Sequence, residues 1–140
     1  MVEISTSVLT VKKEEILGAI YNLEMAKTDY FHIDVMDGKF VENKTWTYSE
    51  VKKIISYSKL PLDVHLMVKN PEKYIEDYAL LNTSYLTFHY EAVKDVQNII
   101  DTIKNYGLKV GISICPDTEV KKVVPTFKDP KEVNKNIWEN

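Results

Sequence analysis

The chain has 140 residues, of which 44% are hydrophobic and 28% are charged, and its formal net charge is -3. This balance is typical of one globular domain, and an acidic chain without a basic cluster argues against a dedicated nucleic-acid binder. No apolar run approaches the ~18 residues that a membrane span needs, and the first residues lack the pattern of a signal peptide. The lone cysteine, Cys115, has no internal disulfide partner. We therefore expect a cytoplasmic protein with neither nucleic-acid nor membrane partners.

Five strand patterns alternate with helical patterns along the chain. The strands are expected over residues 4–9, 30–36, 62–68, 85–90 and 108–114. Between them, apolar residues recur at the i, i+4 and i+7 spacing of amphipathic helices, as at Ile16, Ile20 and Leu23. Four such helices are predicted, each following a strand.

Capping residues mark the ends of these helices. Thr10 precedes the first helical pattern, and Asn70, which is followed by Pro71, precedes the third, so both are predicted N-caps. Gly107 follows the fourth pattern and is predicted to end that helix in a left-handed conformation. A short fifth helix is predicted over residues 116–124.

The alternation of strands and helices predicts an α/β fold in which βα units build a parallel sheet. About five such units fit into residues 1–125, whereas a complete (β/α)8 barrel normally needs ~200 residues or more. We therefore expect residues 1–125 to form an incomplete barrel domain, a partial TIM barrel. Residues 126–140 are mostly polar and are expected to form a divergent C-terminal tail.

Two neighbouring strands carry polar side chains on a face that is usually apolar in parallel sheets. Side chains at positions i and i+2 of a strand share a face. One face of each strand is apolar, whereas the other carries His32, Asp34 and Met36 in the first strand and Asp63, His65 and Met67 in the second. Two imidazoles and a carboxylate on one surface can ligate Zn²⁺, Fe²⁺ or Mn²⁺. The alternative is a group of buried polar side chains that only satisfy one another, with the methionines as core fillers.

Several other residues are weaker candidates. His89 ends the fourth strand and is expected to have a positioning or structural role rather than to ligate a metal. Ser5 and Ser7 share a face of the first strand, where either can donate to a bound oxyanion or cap the local backbone. Cys115 follows the fifth strand and has no adjacent His or Lys in the sequence, so we do not expect it to act as a nucleophile.

Three motifs resemble those of the ribulose-phosphate 3-epimerase family. They are His32-Ile-Asp-Val-Met-Asp-Gly38, Leu60-Pro-Leu-Asp-Val-His-Leu-Met-Val68 and Thr87-Phe-His-Tyr-Glu-Ala92. The opening stretch Ile4-Ser-Thr-Ser-Val-Leu9 and the later stretch Lys109-Val-Gly-Ile112 are similar to the same family. The resemblance covers about residues 3–125.

The resemblance implies a (β/α)8 barrel enzyme, a carbohydrate isomerase of pentose phosphate metabolism. Its implied reaction is the metal-assisted epimerisation of D-ribulose 5-phosphate, a small sugar phosphate, to D-xylulose 5-phosphate. It implies that a divalent metal, Zn, Fe, Mn or Co, is held by His32, Asp34 and His65, and that Asp34 is also one of two acid/base carboxylates. The residues that it implies at the substrate are Ser7, His65, Met36 and Met67. We further expect Asp63 to be a hydrogen-bond partner of His65.

Two features of the family's pattern are missing from these 140 residues. There is no Asp-Gly-Gly motif, which in the family supplies the fourth ligand and the second acid/base group, and the four glycines include no adjacent pair for a phosphate-binding loop. We therefore expect a C-terminally truncated member of the family. The alternatives are a catalytically inactive metal- or partner-binding remnant and a related aldolase or decarboxylase of sugar phosphates. The two open edges of a five-stranded partial barrel also favour a homo-oligomer.

Overall fold

The structure is a computed structural model that describes residues 1–126. Within them, five strands form one parallel sheet in the order β1-β2-β3-β4-β5. The strands are β1 Ser5–Ser7, β2 Tyr30–Met36, β3 Leu62–Met67, β4 Thr83–His89 and β5 Lys109–Ser113. The α-helices that alternate with them are α1 Ile16–Met25, α2 Tyr48–Ile55, α3 Ile75–Ala79 and α4 Val96–Asn105. This is the predicted α/β architecture of about five βα units.

Alternation along the strands separates an apolar face of the sheet from a polar one. In β2, Phe31, Ile33 and Val35 are buried, and so are the corresponding residues of β3. They join one hydrophobic cluster with residues of all four helices, among them Ile16, Ile20, Val51, Ile54, Ile75, Tyr78, Ile99, Ile100 and Ile103. Each large apolar side chain buried in this way stabilises the fold by about 1.5–3 kcal/mol before entropy is counted. The helices cover the apolar face, which leaves the other face for the polar residues.

One predicted helix cap is wrong, and a second is confirmed in position only. The 3-10 turn Lys13–Glu15 precedes α1, and the N-cap of this turn is Lys12 rather than Thr10. Asn70 is the N-cap of the 3-10 turn Pro71–Lys73, with Pro71 first in the turn as predicted, but its side chain makes no capping hydrogen bond, and α3 begins only after this turn. In both places the 3-10 turn makes its own backbone hydrogen bonds and so takes the place of a side-chain cap.

Other helix ends follow the sequence rules closely. Thr47 and Glu50 form a capping box at α2, in which the Glu50 N–H donates to Thr47 Oγ1 at 3.3 Å and the Thr47 N–H donates to Glu50 Oε2 at 2.8 Å. Gly107 follows α4 with a φ of 78°, which confirms the predicted left-handed end of this helix.

The predicted fifth helix over residues 116–124 is wrong. The chain there forms two 3-10 turns, Val120–Lys122 and Val124–Thr126. Pro125 lacks a backbone N–H, so the second turn cannot extend the first into an α-helix. The predicted tail, residues 126–140, lies outside the described residues except for Thr126. No helix in residues 1–126 is long and apolar enough to cross a membrane.

Candidate metal and active site

Strands β2 and β3 bring the predicted polar side chains together on the sheet face that the helices leave open. The parallel register pairs His32 with Asp63, Asp34 with His65, and Met36 with Met67. Residues paired in this way point to the same side of the sheet, so each imidazole lies beside a carboxylate. The two methionines follow at the carboxyl ends of the strands and are half-buried.

Asp34 lies at the centre of this cluster. Its Oδ1 atom lies 3.2 Å from His32 Nε2 and 3.5 Å from His65 Nδ1. His32, Asp34 and His65 each offer one ligand atom, and these atoms lie within 4.8 Å of one another. We call these three residues the central donor set. Two imidazole nitrogens and a carboxylate oxygen are donors that suit Zn²⁺ or Fe²⁺ and leave further coordination positions open.

Hydrogen bonds determine the charges of the central donor set. Burial lowers the pKa of His32, but hydrogen bonds with Asp34 and Asp63 outweigh burial and raise this pKa to about 9. Burial likewise raises the pKa of Asp34, yet hydrogen bonds with His32 and His65 bring it well below its usual value. Without a cation, the set therefore contains an ionised carboxylate beside a protonated imidazole. A cation that binds here has to displace the proton of His32.

Asp63 is a partner of His32 and not, as predicted, of His65. Its Oδ2 atom lies 2.8 Å from His32 Nδ1 and accepts a hydrogen bond from Ser5 Oγ at 2.8 Å. The register explains the difference, because Asp63 lies directly beside His32, whereas His65 is two residues further along the same strand. The contact holds the His32 ring so that its Nε2 atom faces Asp34.

Ser7 has one of the two roles predicted for it, a hydrogen bond to the local backbone, and it also contacts Asp34. Its hydroxyl donates to Asp34 Oδ2 at 3.2 Å, and it also accepts the N–H of Leu9 at 3.2 Å. The hydroxyl is thus both a local backbone partner and a contact of the central carboxylate.

His89 extends the cluster toward the carboxyl edge of the sheet. Its Nε2 atom lies 2.9 Å from His65 Nε2, and the two rings stack with 5.0 Å between their centroids. Burial and then the charge of His65 lower the pKa of His89 to about 4, against the opposing effect of Glu91. Phe40, from the loop after β2, packs on His89 with 4.9 Å between ring centroids. No periodic pattern in the sequence predicted the contact between Phe40 and His89.

An open cavity of about 630 Å³ lies at the carboxyl ends of β3, β4 and β5. Its lining includes His65, Met67, His89 and Ser113, together with Phe40 and Val41 after β2 and residues 114–116 and 118–120 after β5. The volume is in the range of small-molecule sites, and this edge is where barrel enzymes bind their substrates. Of the predicted substrate contacts, His65 and Met67 line the cavity. Met36, which lies next to Met67, and Ser7, which donates to Asp34, are not part of the lining.

A second group of metal-donor side chains lies beside this cavity, and two of its three members line it. It consists of His89, Glu91 and Cys115, whose ligand atoms lie within 4.8 Å of one another; we call it the rim donor set. Cys115 has no adjacent histidine in the sequence, but the fold places His89 Nδ1 3.9 Å from its Sγ atom. Burial and the charge of Glu91 raise the pKa of the Cys115 thiol. The free thiol therefore keeps its proton at neutral pH, in keeping with the prediction that Cys115 is not a nucleophile.

The fold and the site together define a βα-barrel-type protein with donor groups for a divalent cation at the carboxyl edge of its sheet. The sequence profile of the ribulose-phosphate 3 epimerase family matches residues 3–133. The chain belongs to this family of TIM barrels, as the three motifs predicted.

Curated relatives support the same assignment. The ribulose-phosphate 3-epimerase of Bacillus subtilis is 35% identical over 129 residues, which is 92% of this chain and 59% of the relative. That of Treponema pallidum is 38% identical over 117 residues, 84% of this chain and 54% of the relative. The cytoplasmic isoform of Oryza sativa is 41% identical over 98 residues, 69% of this chain and 43% of the relative. The chain thus spans about half the length of the curated relatives that it matches.

Proposed function

We propose that this chain carries the metal-binding and proton-accepting groups of a ribulose-phosphate 3-epimerase. The substrate is D-ribulose 5-phosphate and the product D-xylulose 5-phosphate, in pentose phosphate metabolism. The observation that carries the proposal is the placement of the Asp34 carboxylate, which has one oxygen beside two imidazoles and the other beside Ser7. The names of the relatives support the proposed substrate.

The central donor set is suited to a divalent cation, Zn, Fe, Mn or Co. His32, Asp34 and His65 would hold it, since their ligand atoms already lie close together and Asp34 is ionised. When bound, the cation supplies positive charge next to the substrate oxygens on which negative charge develops.

The two oxygens of Asp34 have different surroundings and therefore different roles. Oδ1 faces the nitrogens of His32 and His65, whereas Oδ2 faces Ser7. Oδ1 is thus the ligand atom, Oδ2 is the atom that Ser7 holds, and the carboxylate accepts the proton from C3 of the substrate. That proton is acidic because C3 is next to the C2 ketone, and the lowered pKa of Asp34 keeps its carboxylate free of protons at neutral pH.

The remaining residues of the site orient and shield these groups. Ser7 holds the Asp34 carboxylate in place through its hydroxyl. Met36 and Met67 lie side by side at the carboxyl ends of β2 and β3 and provide an apolar wall that excludes water from the reacting carbon.

A second function, divalent-metal binding without turnover, is favoured by one observation. The 140 residues contain neither an Asp-Gly-Gly motif nor any pair of adjacent glycines. The sequence therefore offers no second acid/base carboxylate in the family's motif and no glycine-rich loop for the phosphate.

A half-reaction separates these two functions. In deuterated water, a chain that only removes the C3 proton still exchanges it for deuterium, even when no second acid completes the epimerisation. With the 140-residue chain and a divalent cation, we expect deuterium to enter C3 of one of the two pentulose 5-phosphates, as measured by NMR. Asp34→Asn should slow this exchange at least ~100-fold, since it removes the proton acceptor.

The matched control is Asp101→Asn, since Asp101 is an exposed carboxylate on α4. Among the described side chains, the hydrogen-bond partner of Asp101 is Gln97 of the same helix. It should leave the exchange rate unchanged. Exchange that persists in Asp34→Asn would contradict the role of Asp34. Cation binding without any exchange in the unaltered chain would favour the second function.

We also propose that residues 1–125 act as one barrel-type domain that associates with further copies of itself in the cytoplasm. The described sheet has β1 and β5 as its edge strands, and unpaired strand edges favour pairing with another chain. Sizing by light scattering tests the association, and a monomer that melts cooperatively would contradict it. The relative from Oryza sativa, named a cytoplasmic isoform, supports the location.

A further inference from the structure

The rim donor set lies outside the groups that the proposed epimerase chemistry uses. His89 ends β4, Glu91 lies in the 3-10 turn Tyr90–Ala92 that follows, and Cys115 lies just after β5. His89 Nδ1 is 3.6 Å from Glu91 Oε2 and 3.9 Å from Cys115 Sγ. An imidazole nitrogen, a carboxylate oxygen and a sulfur therefore converge on one point.

The spacing of these atoms is close to that of a tetrahedral metal site. With Zn–N bonds of ~2.0–2.1 Å and Zn–S bonds of ~2.3 Å, bound nitrogen and sulfur atoms lie ~3.5 Å apart and bound nitrogen and oxygen atoms ~3.4 Å apart. The observed separations exceed these values by only a few tenths of an ångström. The third pair of ligand atoms, on Glu91 and Cys115, lies within 4.8 Å.

Neighbouring contacts already hold the ligands in place. The backbone N–H of Cys115 donates to Glu91 Oε1 at 2.7 Å, so that Oε2 is the oxygen turned toward His89. The Nε2 atoms of His89 and His65 share one hydrogen at 2.9 Å, which fixes the ring of His89. Hydrogen bonds of this kind orient metal ligands and strengthen their binding.

A second observation points to a ligand at the same place. Ser113 is 4% exposed, its hydroxyl has no hydrogen-bond partner among the described residues, and it lines the cavity. The parallel register places it directly beside His89. A buried hydroxyl without a partner is costly, and a water molecule on a cation in the rim donor set would give it one.

We propose that His89, Glu91 and Cys115 form a second divalent-metal site of Zn²⁺ type, with its open position on the cavity. The thiol loses its proton to solvent when the sulfur–metal bond forms, and His89 binds through Nδ1 while Nε2 donates to His65.

Co²⁺ is the probe, because a cobalt–thiolate bond gives an ultraviolet charge-transfer band that nitrogen and oxygen ligands do not give. The central donor set has no thiolate, so the band reports the rim donor set alone. We expect the 140-residue chain to develop this band on titration with Co²⁺ and the Cys115→Ser variant to lack it. Glu91→Gln, which keeps the size of the side chain, should weaken the cobalt affinity at least tenfold.

The control is His32→Ala, which dismantles the central donor set and should keep the cobalt–thiolate band at full intensity. Far-ultraviolet circular dichroism establishes that each variant is folded. The proposal is overturned if the unaltered chain gives no band. It is also overturned if the Glu91→Gln and His89→Ala variants are folded and both bind cobalt as tightly as the unaltered chain. The thiolate would then bind cobalt without the other two residues.

Discussion

The central and rim donor sets contain similar residue types, yet their surroundings shift the pKa values of His32 and His89 in opposite directions. His32 lies within hydrogen-bond distance of two carboxylates, Asp34 and Asp63, and its pKa rises to about 9. His89 lies against His65 and is 3.6 Å from its nearest carboxylate oxygen, and its pKa falls to about 4. Burial lowers the pKa of both histidines, so the opposite shifts follow from the two carboxylates beside His32 and from the charge of His65 beside His89.

The two sets also differ in how the fold positions them. All three residues of the central donor set lie within β2 and β3, so the backbone ladder fixes their spacing. In the rim donor set only His89 lies on a strand, and Glu91 and Cys115 depend on the chain segments that follow β4 and β5. A site built on strands suits chemistry that needs fixed geometry, whereas a site at strand ends can adjust to its ligand.

The largest expected effect comes from removing two central ligands at once. In a chain that also carries Cys115→Ser, which silences the rim donor set, His32→Ala with His65→Ala should weaken Zn²⁺ binding at least ~100-fold. Two of the three donors are lost, and Asp34 alone is a weak ligand. Equilibrium dialysis followed by metal analysis gives the bound zinc per chain.

The control for this change is Glu91→Gln in the same Cys115→Ser background. It removes a rim carboxylate that has no described contact with His32, Asp34 or His65, so one zinc per chain should remain bound. Equal zinc content in all of these variants would mean that the central donor set is not a metal site.

The opposite pKa shifts predict how stability depends on pH in the metal-free chain. Because the pKa of His89 is lowered from 6.5 to about 4, the unfolded chain binds more protons below pH 6.5 and stability falls as the pH falls toward 4. Because the pKa of His32 is raised from 6.5 to about 9, the folded chain holds more protons above pH 6.5 and stability falls as the pH rises toward 9. Stability should therefore be greatest near pH 6.5, with a slope of at most about 1.4 kcal/mol per pH unit from each histidine.

Urea unfolding in the presence of a chelator, at several pH values, measures this profile. Asp63→Asn removes one carboxylate partner of His32 and should flatten the alkaline side while leaving the acid side as it was. A profile that is flat from pH 6.5 to 9 in the unaltered chain would contradict the raised pKa of His32.

The central donor set could be predicted from sequence because it depends on a period of two within single strands. β2 occupies residues 30–36, as predicted, and β3 ends one residue earlier than expected. Alternation then placed His32, Asp34 and His65 on one face without any knowledge of the register. The predicted partner of Asp63 was wrong because the true partner depends on how β2 and β3 are aligned. The sequence of one strand does not specify this alignment.

The rim donor set could not be predicted because its contacts join distant parts of the chain. Cys115 and His89 are 26 positions apart, and their approach depends on the β4–β5 register and on the segment after β5. The cap at Thr10 was wrong, and Asn70 caps its turn without a side-chain hydrogen bond, for a different reason. Local 3-10 turns compete with side-chain caps for the same backbone groups, and composition alone does not decide between them.

The smallest expected effects come from two glycines, one beside the donor sets and one far from them. An added Cβ at Gly111 would lie 2.1 Å from Oγ1 and 2.9 Å from Cβ of Thr87, its register partner in β4. Gly111→Ala should therefore destabilise the chain by about 1–3 kcal/mol, because β4 and β5 have to move apart. Gly18 in α1 has no atom within 4 Å of an added Cβ, so Gly18→Ala should stabilise by about 0.5–1 kcal/mol.

This pair of variants also tests which strands each donor set depends on. Displacement of β5 moves Cys115 relative to His89, so Gly111→Ala should weaken the cobalt–thiolate band, whereas zinc binding by the central donor set on β2 and β3 should be unchanged. Gly18→Ala should alter neither, which separates a local effect from a general change in stability. If Gly111→Ala weakened cobalt binding by the rim donor set and zinc binding by the central donor set equally, β2 and β3 would have moved together with β5. The prediction that the central donor set is independent of β5 would then be wrong.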